Sequence, residues 1–447
     1  MVMKKITWAA LAILLLCSFS CEKSIPADDS TVVPGEPGTE DLVKAFSVSS
    51  PDPAEQISAI SLDSAQQGYV DAANRMGFRL LGKLYDPASR EGVICSPLSL
   101  EYALAMCANG ASGQTLEELT DFMGFGNDID ALNALCNKLL CELPAVDLGI
   151  TLKLTDALLV RDEFPLLPSY QQTVRDTYFA AVANDSFSNP AAVAKIVNDW
   201  ASRCTNGFID QVLTESDINP DTIALLMNAL YFKARWAGDE RDPMFKPDLT
   251  RESSFYPGDG TSLMLPMMST MDWFQYAEMD GYKVLALPYA NSRYYMYIFL
   301  PDKNDIAALL AQLPTLSWSQ LLKSFKHDAE VYVRLPKFEL EQKYYLREQL
   351  AALGVNRAFA FTGEFDRMFQ RTDYPFAIGE VIQKARIAVD EWGTEAGAVT
   401  VVEMKMGSAP YEEEPKRVYF TCDHPFAFAI GESTSGAILF SGVYSGK

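Results

Sequence analysis

A change of periodicity near Thr222 restricts what this chain of 447 residues can fold into. Before it, apolar residues recur at helical spacing, first at Tyr69, Ala72, Met76, Phe78, Leu80 and Leu81, then from Leu98 to Cys107 and from Leu116 to Phe122. The stretch Ala192 to Val212 continues that pattern, with Val193, Ile196, Val197, Trp200 and Ala201 forming one broad apolar stripe. After it come β-rich runs at Ile223 to Phe232, Lys283 to Pro288, Tyr294 to Leu300, Val331 to Leu335, Phe426 to Ile430 and Ala437 to Tyr444. Turn signals such as Pro257-Gly258-Asp259-Gly260 and Pro301-Asp302 separate these runs. A helical first part followed by a strand-rich remainder predicts an α+β fold. No linker-like stretch interrupts Ala65 to Lys447, so residues 65–447 read as one domain.

The first residues read as a targeting signal. Lys4 and Lys5 precede an apolar run from Ile6 to Leu16, too short to span a hydrocarbon core of about 30 Å. Cys21 follows a small Ser20, and residues 1–20 resemble a bacterial lipoprotein signal peptide that is cut to leave Cys21 for lipidation. Cys17 is an alternative acceptor, and an ordinary secretory signal is the other reading. Residues 21–64, with Pro26, Pro34, Pro37, Pro51 and Pro53 among Asp, Glu, Ser and Thr, have the composition of an extended acidic tether. The expected location is therefore beyond the inner membrane, lipid-anchored at a bacterial membrane on its periplasmic side or at the cell surface, with the membrane touched only through lipid.

Charge and composition exclude several functions. The 37 Lys and Arg stand against 59 Asp and Glu, a net charge of −22 that repels phosphate backbones, so nucleic acid is not an expected partner. The two histidines, His327 and His424, leave little for imidazole catalysis or His-rich metal sites. The chain contains no G-x-S-x-G, no H-E-x-x-H, no phosphate-binding loop and no zinc-spaced Cys and His cluster, and neither a metal nor a cofactor is expected. Cys95, Cys107, Cys136, Cys141, Cys204 and Cys422 form no C-x-x-C, and most sit in contexts that favour buried free thiols.

One segment, Glu391 to Met404, can serve as either loop or strand. Read with period two, one face carries Thr394, Ala396, Ala398, Thr400, Val402 and Met404, and the other Glu395, Gly397, Val399, Val401 and Glu403. It then runs into Lys405-Met406-Gly407-Ser408-Ala409-Pro410 and a charged stretch, the composition of an exposed loop.

That segment resembles the hinge of the serpin reactive-centre loop, and other serpin-like strings cover nearly the whole body. Ser96-Pro97-Leu98-Ser99 leads into a helix through Ala103-Leu104-Ala105-Met106, and Gly110 to Thr115 resembles the turn after it. Asn198-Asp199-Trp200 with Thr205-Asn206-Gly207 resembles the helix that lies across the main sheet, and Asn228 to Lys233 with Trp236 its central strand. Leu265-Pro266-Met267-Met268, Leu335-Pro336-Lys337-Phe338, Phe420 to Phe426 and Ile438 to Gly442 complete the series in order.

The resemblance implies three β-sheets, about eight to nine helices and a loop held outside sheet A. It implies no enzyme but a monomeric inhibitor: a target protease cuts the loop, and the hinge then inserts into sheet A and carries the acylated protease with it. The implied hinge residues are Glu391, Gly393, Thr394, Glu395, Ala396, Gly397, Ala398, Val399 and Thr400. Glu391 and Lys337 would pair at the upper end of sheet A, the breach, near Trp236. At the shutter, lower in the sheet, Gln383 stands where the family usually has His, and its amide is expected to bond Ser96 and Asn228 beside Ser99. His424 is expected to be a structural hydrogen-bonding residue.

Counting from Glu391 the seventeen residues that the serpin resemblance implies places the cut at Gly407-Ser408. A hinge one residue shorter gives Met406-Gly407, the favoured bond, which suits elastase-, chymotrypsin- or subtilisin-like pockets, and Lys405-Met406 would suit trypsin-like ones. Two other functions stay open at this point, a non-inhibitory serpin acting as a binding protein and a surface lipoprotein that binds nutrients.

Overall fold

The computed structural model describes residues 40–49, 52–218, 223–238, 242–361, 364–370, 376–394 and 415–447. Ten α-helices and three sheets appear among them. Sheet A has the strand order Phe338–Tyr345, Glu380–Asp390, Gly393–Thr394, Ala224–Arg235, Thr151–Arg161, Ala181–Asp185. Sheet B runs Val93–Cys95, Ile438–Tyr444, Phe426–Glu432, Tyr294–Pro301, Tyr282–Pro288, Gln275–Met279, and sheet C runs Arg417–Thr421, Glu330–Pro336, Leu263–Asp272, Arg251–Phe255.

The central strand of sheet A is buried on both faces, which is why Ala224 to Phe232 reads as a nearly unbroken apolar run rather than an alternating one. Ala224, Leu226 and Leu230 face the main core, while Leu225, Met227 and Ala229 face a second core on the other side of the sheet. Behind the sheet lies the helix Pro97–Gly110, buried along almost its whole length and started by Ser96, whose hydroxyl accepts from Ser99 N. The helix Ser64–Leu84 crosses it so closely that a Cβ on Gly77 would sit 2.3 Å from Pro97 Cγ.

In front of the sheet lies the helix Pro190–Cys204, capped by Asn189 and packed through Val193, Val197, Trp200 and Ala201. The helical pattern expected to reach Val212 stops at Cys204, because Asn206 (φ 51°) and Gly207 (φ 79°) are left-handed. The following segment instead straps the front of the sheet through Ile209, Val212, Leu213 and Ile218. Its far end is fixed where Asp217 accepts from Lys343 Nζ and the Tyr345 hydroxyl, both at 2.6 Å, on the edge strand.

The packed body begins before the expected boundary at Ala65. The short helix Glu40–Ala45 and the residues after it place Leu42 and Phe46 in the second core. Phe46 meets Trp200 edge to face at 5.4 Å, Trp200 Nε1 donates to Val48 O at 3.2 Å, and Arg203 donates to Phe46 O at 2.8 Å. Asp52 pairs with Lys153, and Ile57 N and Ile60 N bond Ala145 O and the Thr434 hydroxyl. The Pro-rich composition hid Leu42, Phe46 and Ile60, whose buried apolar side chains help to offset the cost of ordering this stretch. Residues 1–39, with Cys21, lie outside the described residues.

Candidate functional site: the upper half of sheet A

The strands Glu380–Asp390 and Ala224–Arg235 run parallel and are paired only in their lower halves, from Glu380↔Leu225 to Lys384↔Ala229. Above Lys384 the direct ladder stops. At the top, Gly393–Thr394 fills the opening as a two-residue strand, antiparallel to both neighbours: Thr394 opposes Val389 and Ala234, and Gly393 opposes Asp390 and Arg235. Between these two zones the sheet is split, with 385–388 facing 230–233 and no ladder joining them among the described residues.

The top of the split is tightly built. Gly393 has φ 148°, and a Cβ there would lie 2.1 Å from Ala234 O, so only glycine fits. Thr394 is buried, its hydroxyl 2.6 Å from the Tyr289 hydroxyl. Tyr289 stacks on Trp236 at 4.5 Å, and Trp236 ties down the turn before the hinge, with its Nε1 donating to Asp390 O at 2.8 Å and its backbone N to Trp392 O at 3.0 Å. Glu391 is buried beside this cluster and pairs with Lys337 Nζ at 2.8 Å, as the resemblance implies, while also accepting from the Thr250 hydroxyl at 2.7 Å. Burial pushes the Glu391 carboxyl upward, but the bonds from Lys337 and Thr250 outweigh it and hold the group below the ordinary carboxylate range. Thr250 was not foreseen; a threonine in a loop before an edge strand carries no signal of its own.

Lower in the sheet, three polar side chains stand in one row: Gln383, Asn228 and Asp156 are cross-strand partners on adjacent strands, all buried and facing the helix Pro97–Gly110. Gln383 makes a reciprocal pair with one residue, its Oε1 accepting from Ser96 N at 3.0 Å and its Nε2 donating to Ser96 O at 2.9 Å. The expected bond to Asn228 is not formed. Both of the glutamine's polar atoms are committed to the Ser96 backbone, and both amide atoms of Asn228, like Asp156 Oδ1, have no hydrogen-bond partner among the described residues. Ser99 serves the helix start through its backbone N. Burial drives the Asp156 carboxyl strongly upward, and that of Glu101, on the helix behind, up to about 8.

His424 stands apart from both groups, its Nε2 2.8 Å from Pro301 O and its Nδ1 2.8 Å from Asp423 Oδ1, a tie between the end of a sheet B strand and the segment after sheet C. Among the described residues Cys95, Cys107, Cys136, Cys204 and Cys422 are free thiols, and burial pushes those of Cys95 and Cys107 up to about 12. Glu395, Ala396, Gly397, Ala398, Val399, Thr400 and the bond candidates Lys405, Met406, Gly407 and Ser408 lie outside the described residues.

Three sheets of this topology, with a two-residue strand at the top of a split central sheet, are the arrangement that the serpin resemblance implies. A family model described as Serpin (serine protease inhibitor) matches residues 71–446, and the chain belongs to that family. An uncharacterized serpin-like protein of Thermococcus kodakarensis is 34% identical over 382 residues, covering 85% of this chain and 86% of its own. Another from Methanosarcina acetivorans is 30% identical over 440 residues, covering 98% and 97%. Among solved structures, the thermophilic serpin tengpin in its native state matches with TM-score 0.75 at 26% identity over 88% of this chain and 97% of that one. Serpin48 of the insect Tenebrio molitor matches with TM-score 0.73 at 26% identity over 86% and 99%.

Proposed function

We propose that this serpin is an irreversible suicide-substrate inhibitor of serine proteases and, by the same acyl chemistry, of cysteine proteases. The observation that carries the reading is the sheet already parted at its top, with Gly393–Thr394 in the strand position and an unladdered gap below. The nucleophile of the target attacks the carbonyl of the residue before the cut, with Met406-Gly407 the favoured bond and Lys405, Gly407 and Ser408 its neighbours. The amide breaks, the new amino terminus leaves, and an ester or thioester joins loop to protease. Freed at one end, the hinge continues the strand that Thr394 begins, and each residue that enters gains ladder bonds on both sides.

The small residues Ala396 and Ala398 would enter the main-core face at little cost, and Lys337, Glu391 and Trp236 would hold the upper gate until cleavage. Target proteases with elastase-, chymotrypsin-, subtilisin- or trypsin-like pockets fit the candidate bonds. A lipid on Cys21 would place the inhibitor at a bacterial membrane, facing periplasm or exterior.

Incubating the full mature chain with elastase, chymotrypsin, trypsin and subtilisin tests the reading. The expected result is an SDS-resistant complex with at least one of them, with the mass of the released C-terminal peptide fixing the bond. Cleavage by all four with no covalent complex would overturn it.

A further inference from the structure

Asp156 and Asn228 are direct partners across the strands Thr151–Arg161 and Ala224–Arg235, both buried and both facing the helix Pro97–Gly110. In such a pair the Cβ atoms lie about 4.5–5.5 Å apart, so a carboxyl and an amide can meet by rotation of their end groups. Three polar atoms in this small space lack a partner among the described residues: Asp156 Oδ1, Asn228 Oδ1 and Asn228 Nδ2. Leaving all three unmade is costly in a core. Gln383, the next residue in the row, is committed to Ser96.

The chemistry of the two groups decides what can join them. A carboxylate only accepts, so it could take a bond from Asn228 Nδ2 but would set a negative charge against Asn228 Oδ1. A neutral carboxylic acid donates through its O–H and accepts through its carbonyl, and so matches the amide at both ends. The same two-point exchange already occurs between Asn109 and Asn133, whose Nδ2 and Oδ1 atoms bond at 2.8 Å in each direction.

The surroundings favour the neutral form. The helix Pro97–Gly110 brings Glu101 and Tyr102 to this region, the helix Ile129–Glu142 brings Cys136, and the helix Pro168–Tyr178 ends in Tyr178. Burial keeps the two phenols and the thiol neutral. Neither Asp156 nor Glu101 has a hydrogen bond or an ion pair among the described residues. Lys153, Arg203 and Cys204 gather about Thr155, on the front of the same strand. A metal ion cannot replace the proton, because no three His, Cys, Asp or Glu side chains converge to hold one among the described residues.

We propose that Asp156 is held as the un-ionised acid, donating to Asn228 Oδ1 and accepting from Asn228 Nδ2, and that this proton-held tie between two strands of sheet A comes undone in alkali. The tie is independent of whether the chain inhibits a protease. Burial raises the folded-state pKa of Asp156 above its ordinary value of 3.8, so the folded chain keeps a proton that the unfolded chain has released. The contribution is complete below that ordinary value and is lost as pH rises towards the raised one.

The test uses the full mature, uncut chain carrying Glu101→Gln, which removes the other raised carboxyl of this region. From about pH 5 to about pH 7, its unfolding equilibrium constant in guanidinium should rise about tenfold per pH unit relative to that of the chain that also carries Asp156→Asn. The amide keeps both bonds and has no such proton to lose. At neutral pH the Glu101→Gln chain should show the infrared carbonyl stretch of an un-ionised carboxylic acid, absent with Asp156→Asn and moved to higher frequency with Asn228→Leu. Equal pH slopes with and without Asp156→Asn, or a Glu101→Gln chain without that band, overturn the neutral acid. A band that Asn228→Leu leaves unmoved overturns the pairing.

Discussion

The hydroxyls of Tyr289 and Thr394 lie 2.6 Å apart, so the side chain at the end of the two-residue strand is bonded inside the protein. Tyr289 is in turn held by its stack on Trp236. On the proposed reading, Thr394 would set the entry point of an inserting strand.

A long charged side chain cannot occupy that place. Thr394→Arg should drive Gly393–Thr394 out of the sheet and leave the loop to be cleaved as an ordinary substrate. Gly393→Ala should do the same through its clash with Ala234 O. Both outcomes are read as loss of SDS-stable complex with cleavage retained; trapping at unchanged stoichiometry would contradict them.

Removing Lys337 leaves the buried Glu391 carboxylate with Thr250 as its remaining side-chain donor. Lys337→Met should cost about 1–2 kcal/mol, less than a fully buried pair because the lysine is more than a third exposed to water. Because the folded-state pKa of Glu391 is lowered, its contribution is fully present above the ordinary glutamate pKa and is lost as pH falls through the depressed value. Urea midpoints of both proteins should therefore converge in acid, and a gap that persists there would count against the assignment.

Gln383→Leu strands Ser96 N and removes one of the two donors to Ser96 O, which keeps Leu100 N, and should destabilise the uncut form by about 1–3 kcal/mol. Gln383→Glu keeps an acceptor for Ser96 N but loses the donor to Ser96 O, and should fall between. Chemical denaturation of the three proteins gives the order directly.

Glu101 contributes with the opposite sign. Its pKa is raised by burial to about 8, so the folded chain holds a proton that the unfolded chain releases near 4.5, and stability should fall as pH rises between those values. Glu101→Gln should flatten that slope and leave the variant more stable than wild type at pH 8. An unchanged slope would mean the carboxyl is ionised in place.

Much of this architecture could be read from the residues, though unevenly. The strands around Ile223, Tyr294 and Phe426 announced themselves as apolar runs between turn residues, and the Lys337 and Glu391 pair followed from family motifs. The strand Thr151–Arg161 did not stand out, since Leu158, Leu159 and Val160 are buried on both faces and show no alternation that separates strand from helix. Ser96 was expected as a partner of Gln383, but that both bonds go to its backbone and none to Asn228 was beyond reach: choosing between a side chain and a backbone only ångströms apart depends on where the helix Pro97–Gly110 starts relative to the sheet.

The docking of Phe46 and Val48 onto Trp200 and Arg203 has a mechanical consequence. Tension applied at the amino terminus reaches the helix Pro190–Cys204 through these contacts. That helix lies over the central strands of sheet A, so a pull at the amino terminus would be felt first by the cover of the split sheet.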